Sequence, residues 1–82
     1  MNRRTPPMRR IRIHGRRVRA HYILDFYAGT CTSVALYALR THKYARVVCI
    51  DRDHSLEWVR KHVPAKYLSR LLYIQEDVRA LS

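Results

Sequence analysis

Three short apolar stretches punctuate the chain, and each runs into an acid: Tyr22-Ile23-Leu24-Asp25, Val47-Val48-Cys49-Ile50-Asp51 and Leu72-Tyr73-Ile74-Gln75-Glu76-Asp77. They are rich in β-branched and aromatic residues and bounded by polar or turn residues, the pattern of buried parallel strands. The segments between them have helical spacing. Ser33-Val34-Ala35-Leu36-Tyr37-Ala38-Leu39-Arg40 predicts one helix, and Ser55 through Leu72 predicts a second. In the second, Leu56, Val59 and Val63 form the inner face with Trp58 beside it. Pro64 breaks it, leaving Lys66 to Leu72 as a shorter piece.

A β-α-β-α-β order implies a parallel sheet with right-handed crossovers, and ligands of such sheets bind beyond the carboxyl ends of the strands. The expected fold class is therefore α/β: a partial Rossmann-like three-layer sandwich, parallel sheet order 3-2-1, preceded by a basic N-terminal arm. Asp25, Asp51 and Asp77 would line one rim. Carboxylates gathered there suit a ligand offering hydroxyls and amines, such as a nucleoside. The stretch Tyr22 to Asp25 would form an apolar sheet edge, which favours a homodimer or a complementary chain.

Residues 1–21 form the arm and residues 22–82 the domain. Arginines crowd the arm around His14-Gly15, and the alternation Arg10-Ile11-Arg12-Ile13 fits a short strand, in a hairpin with Arg17-Val18-Arg19. A solvated leader and a phosphate-contacting arm are both open readings. On the second, the nucleic-acid-binding residues are Arg3, Arg4, Arg9, Arg10, Arg12, Arg16 and Arg17.

Charge strengthens that second reading. Across 82 residues, 17 Lys and Arg face 6 Asp and Glu, a net charge of +11 that attracts polyanions, nucleic acid before an acidic membrane surface. A hydrophobic content of 48% is that of a folding chain, although one this short buries a small core. Cys31 and Cys49 form no CxxC pair, and the histidines lack ligand spacing, so a reducing, cytoplasmic setting without a bound metal is expected, nuclear or nucleoid association being compatible. No apolar run reaches the roughly 18 residues of a membrane span, so no membrane partner is expected.

After Asp25 comes Phe26-Tyr27-Ala28-Gly29-Thr30-Cys31-Thr32-Ser33, a glycine turn entering a helix, which brings backbone N–H groups and small hydroxyls to a ligand. An ordinary βα turn capped by Thr32 or Ser33 is the alternative. Asp51 lies some 20 residues past that turn, where nucleotide folds bind ribose hydroxyls, and Asp53 is expected to cap the following helix. On the plainer reading Asp51 pairs with an arginine, and Asp53 or Ser55 is the cap.

These segments resemble the class I S-adenosylmethionine-dependent methyltransferases, especially the DNA and RNA branches. Asp25 to Ser33 is similar to their first motif, Val47 to Asp53 to the second and Gln75-Glu76-Asp77-Val78 to the third, together spanning about Tyr22 to Leu81. The resemblance implies cofactor-binding roles for Asp25, Tyr27, Gly29, Thr30, Asp51, Arg52 and Asp77. Tyr27 and Gly29 would line the methionine part, Asp51 the ribose, Arg52 the adenine ring and Asp77 the adenine amine. Cys31 stands where the family has its second glycine.

The family's catalytic motif follows a fourth strand, so no catalytic residue is expected among these. Thr5-Pro6-Pro7-Met8, with no aromatic residue and no acid or amide before its prolines, reads as a turn or linker. The resemblance thus implies the S-adenosylmethionine-binding portion of a nucleic-acid methyltransferase, a transferase fragment that needs a partner or a further half. The alternative is a small basic nucleic-acid-binding protein with a degenerate methyltransferase fold. A nicotinamide-dependent oxidoreductase ranks last, because Gly-x-Gly-x-x-Gly is absent.

Overall fold

The computed structural model describes residues 5–25 and 31–76. Along the chain run β1 (Arg9–Ile13), β2 (Arg16–Ala20), β3 (Tyr22–Asp25), α1 (Cys31–Thr41), β4 (Val47–Ile50), α2 (Leu56–His62), α3 (Ala65–Leu68) and β5 (Leu71–Ile74). The fold is a small mixed α/β unit. Strands β3, β4 and β5 make a parallel sheet, while β1 and β2 make a separate antiparallel pair.

The expected order 3-2-1 does not describe this sheet. The arm contributes the first two strands of the chain, so the sheet runs β3-β4-β5 with β4 in the middle. Each crossover adds its strand on the same side of the last, and β3 is an edge strand. Both crossover helices then lie on one face.

Strand alternation divides the apolar residues between the two faces. On one, Val47 and Cys49 of β4 and Tyr73 of β5 pack with Ala35, Ala38 and Leu39 of α1 and with Val59 and Val63 around α2. On the other, Val48 and Ile50 pack with Ile13 and Ala20 of the hairpin. Among the described residues the second face is therefore covered by a β-ribbon, where the expected three-layer sandwich would place helices. Four adjacent buried residues, Val47 to Ile50, explain why β4 reads as a continuous apolar run.

The arm forms a hairpin because its alternation is strict and its turn residues allow it. Registered pairs run from Arg9 opposite Ala20 to Ile13 opposite Arg16, leaving a two-residue loop. Both loop residues, His14 at φ 50° and Gly15 at φ 76°, adopt the left-handed conformation that matches the strands' twist.

Helix boundaries follow local chemistry. α1 begins at Cys31, so Thr32 and Ser33 fall inside its first turn and neither is the cap. Its carboxyl end is closed by Arg70, whose guanidinium donates to the carbonyls of Leu39 (3.0 Å), His42 (2.9 Å) and Ala45 (2.9 Å). α2 is capped by Ser55, whose hydroxyl accepts from the Trp58 N–H at 3.1 Å; the cap is not Asp53. Val59 and Val63 are buried as expected, but Leu56, the first residue of α2, is 44% exposed. Pro64 ends this helix and precedes α3.

Candidate functional site

The carboxyl ends of β3 and β4 lie side by side, Asp25 being level with Ile50, so Asp51 stands one residue beyond Asp25 on the neighbouring strand. Asp51 is 1% exposed. Its backbone N–H donates to the Ile74 carbonyl at 3.0 Å, which holds it on the central strand beside the end of β5. Of its two carboxylate oxygens, Oδ1 accepts from the Asp53 N–H at 2.9 Å, and Oδ2 is buried with no hydrogen-bond partner among the described residues. Burying an acceptor without a partner is costly, so native structures seldom leave one without a reason.

A second orphan occurs nearby in the fold. Thr32, in the first turn of α1, is buried, and its Oγ1 also lacks a partner among the described residues. These are the two buried side-chain oxygens without partners among the described residues. One sits at the carboxyl end of the central strand and the other at the amino end of the helix that follows β3. That helix end also carries the positive end of the backbone dipole.

The loop after β4 is fastened to β5. The Tyr73 hydroxyl bridges the carbonyls of Asp51 (3.2 Å) and His54 (2.6 Å), and the Gln75 side-chain amide approaches the Arg52 carbonyl at 3.5 Å. Burial raises the Tyr73 phenol above its ordinary pKa, and the Asp51 carboxylate pushes in the same direction. Arg52 is exposed and lies 4.0 Å from the Asp53 carboxylate. Beyond it, Trp58 is stacked between His54, 3.6 Å away, and His62, 4.0 Å away. These histidines are packing partners, and no group of His, Cys, Asp or Glu able to hold a metal occurs among the described residues.

The expected cofactor residues are thus only partly visible. Asp25, Asp51 and Arg52 stand at the carboxyl end of the sheet, whereas Tyr27, Gly29, Thr30 and Asp77 lie outside the described residues. Cys49, on the helix-facing side of β4, is buried and disulfide-bonded.

The arm supplies a different surface. Arg9, Arg10, Arg12, Arg16 and Arg17 all lie on the hairpin and are exposed, while Arg3 and Arg4 are outside the described residues. Arg19, omitted from the expected nucleic-acid-binding set, is exposed directly opposite Arg10. The two-residue His14-Gly15 turn fixes that register, so the pairing was readable from the sequence. At the hairpin tip His14 Nε2 meets the Glu76 carboxylate at 2.7 Å, joining the ribbon to the segment that leaves β5.

Comparison with protein-family models, with curated proteins and with solved structures finds no match for this chain. Among the described residues no helix is long and apolar enough to cross a membrane.

Proposed function

We propose that this chain is the S-adenosylmethionine-binding portion of a nucleic-acid methyltransferase built on a partial Rossmann-like fold. The observation that carries the reading is Asp51 Oδ2, a buried acceptor at the carboxyl end of the central strand that has no partner among the described residues. The ribose of the cofactor has two adjacent O–H donors, which suit a carboxylate whose other oxygen is already fixed by the Asp53 N–H. Because Asp51 is buried, a ribose reaches Oδ2 only by taking the place of what covers it.

When bound, the cofactor supplies an electrophilic methyl group. The protein's part is positioning: Asp51 accepts from the ribose, Arg52 flanks the adenine, and Tyr73 keeps the Asp51–His54 loop in place. Asp25 belongs to the same rim, and the positive end of the α1 dipole would favour a carboxylate of the cofactor.

Calorimetric titration with S-adenosylmethionine and S-adenosylhomocysteine tests this reading, with Asp51→Ala as control. Saturable binding that the substitution abolishes is expected. A folded chain that binds neither compound refutes it. A second reading, a nucleic-acid-binding module that keeps the fold without the cofactor, is favoured by the hairpin's exposed arginines, and predicts that Asp51→Ala leaves nucleic-acid binding intact.

A further inference from the structure

We propose that the outer face of the β1–β2 ribbon is a docking platform for the phosphate backbone of double-stranded nucleic acid, formed by Arg10, Arg12, Arg17 and Arg19. This deepens the nucleic-acid part of the preceding reading but does not depend on cofactor binding. Registry places Arg10 directly opposite Arg19 and Arg12 directly opposite Arg17. Alternation puts all four on the ribbon face away from Ile13 and Ala20, which pack on the sheet. The result is a two-by-two grid with sides of roughly 5 Å across the strands and 7 Å along them.

Like charges directly opposite each other destabilise a hairpin, so this grid opposes the fold that carries it. No acid occurs before Asp25 to neutralise it, and among the described residues none of the four guanidinia is in an ion pair. Bound phosphates would remove the repulsion. Arg10, Arg12 and Arg17, with Ile11, also line an open depression of about 370 Å³, which leaves their guanidinia accessible to a phosphate group.

The form of the nucleic acid follows from what the face lacks. Sequence-tolerant single-strand binding relies on aromatic platforms for stacked bases. Among the described residues this face has none, and the exposed Tyr37 and Tyr44 belong to α1 and the turn after it. A two-stranded ribbon also has the width that a duplex groove admits, and its guanidinia can contact phosphates on both sides of that groove. The His14–Glu76 contact sets the ribbon tip at the same end of the sheet as Asp51.

The experiment is fluorescence anisotropy with labelled DNA and RNA duplexes of roughly 20 base pairs, the matching single strands, and phosphatidylserine-containing vesicles as competitors, without cofactor. Four phosphate contacts predict that log K for the DNA duplex falls with log salt at a slope near −3.6, since each contact contributes about −0.9. Arg12→Gln with Arg17→Gln should reduce that slope by about 1.8, and Arg10→Gln with Arg19→Gln by the same amount. Arg40→Gln with Arg60→Gln, an equal loss of charge on the helix side, should change it by less than about 0.5.

Removing either cross-strand pair relieves repulsion, so melting of the variants should show an unchanged or higher Tm. Tighter binding to either duplex than to its single strands, with the slope lost only in the ribbon variants, supports the platform. Equal losses in the helix-side control, equal affinity for single strands, or vesicles displacing the duplex would overturn it. Failure to bind S-adenosylmethionine leaves this result untouched, so the two readings fail separately.

Discussion

The Tyr73 hydroxyl donates to the backbone carbonyl of Asp51 at 3.2 Å, so a side chain of β5 holds the residue that ends the central strand. The same hydroxyl reaches the His54 carbonyl at 2.6 Å, and the turn carrying Asp51, Arg52 and Asp53 is thereby closed against the helix-side core. Its geometry depends on one phenolic proton.

Tyr73→Phe should therefore destabilise the fold by about 1–3 kcal/mol near neutral pH, the range for losing a donor to buried carbonyls. The pH dependence has a definite sign. Burial, followed by Asp51, raises the folded-state phenol above its ordinary 10.0, so between those two values the native chain holds a proton that the unfolded chain has released. The contribution is fully present below pH 10 and is lost as pH rises through the folded-state value. Melting curves from about pH 8 to pH 11 should fall more steeply for the parent than for Tyr73→Phe.

Asp51→Asn separates the structural role of this residue from its proposed binding role. The amide oxygen can still accept from the Asp53 N–H, so the turn should survive with a stability change of about 1 kcal/mol or less. The charge that would strengthen bonds from ribose hydroxyls in the proposed site is gone. Hydrogen bonds to charged groups contribute about 1.5–3 kcal/mol, so affinity for S-adenosylmethionine should fall roughly 10- to 100-fold. Calorimetry together with a urea melt checks both halves, and an unaltered affinity would remove Asp51 from the proposed site.

Much of the sheet was legible because apolar runs and their terminal acids are local signals. Tyr22–Asp25 is a strand with the expected bounds, and Val47–Ile50 is the buried centre. The third strand starts one residue early and stops at Ile74, because Gln75 and Glu76 leave the ladder, Glu76 turning back to donate to the Ile74 carbonyl. The cap at Ser55 was decided by hydroxyl geometry, which sequence cannot rank against Asp53. Hardest to see was the role of the arm. Its alternation reads equally as a solvated strand or a packed one, and only the register of Ile13 and Ala20 against Val48 and Ile50 shows which side is covered. The orphan oxygens of Asp51 and Thr32 are tertiary facts with no sequence signature.

The hairpin turn offers a test of backbone strain alone. A Cβ built on Gly15 meets no atom within 4 Å, so Gly15→Ala introduces no clash and leaves the positive φ as the cost. That cost is about 1–2 kcal/mol for an L-residue, and Gly15→Asn should recover part of it because asparagine tolerates the left-handed region. His14→Ala removes an exposed contact, its side chains being 53% and 36% accessible, and should change stability by less than about 1 kcal/mol. Chemical denaturation of the three variants should rank Gly15→Ala as the most damaging.

Whether the ribbon is an integral layer of the fold is decided by Ile13. It is 6% exposed and packs with Val48 and Ile50, whereas Ile11, on the same ribbon face, is only half-buried. Truncating a buried isoleucine to alanine costs about 2–5 kcal/mol through lost transfer energy and the cavity left behind. Ile13→Ala should fall in that range, and Ile11→Ala should cost clearly less because its side chain already meets water. If the ribbon were a detached leader, neither change would shift the unfolding midpoint. If it is the second covering layer, Ile13→Ala lowers the midpoint and increases binding of an apolar dye to the exposed Val48–Ile50 face.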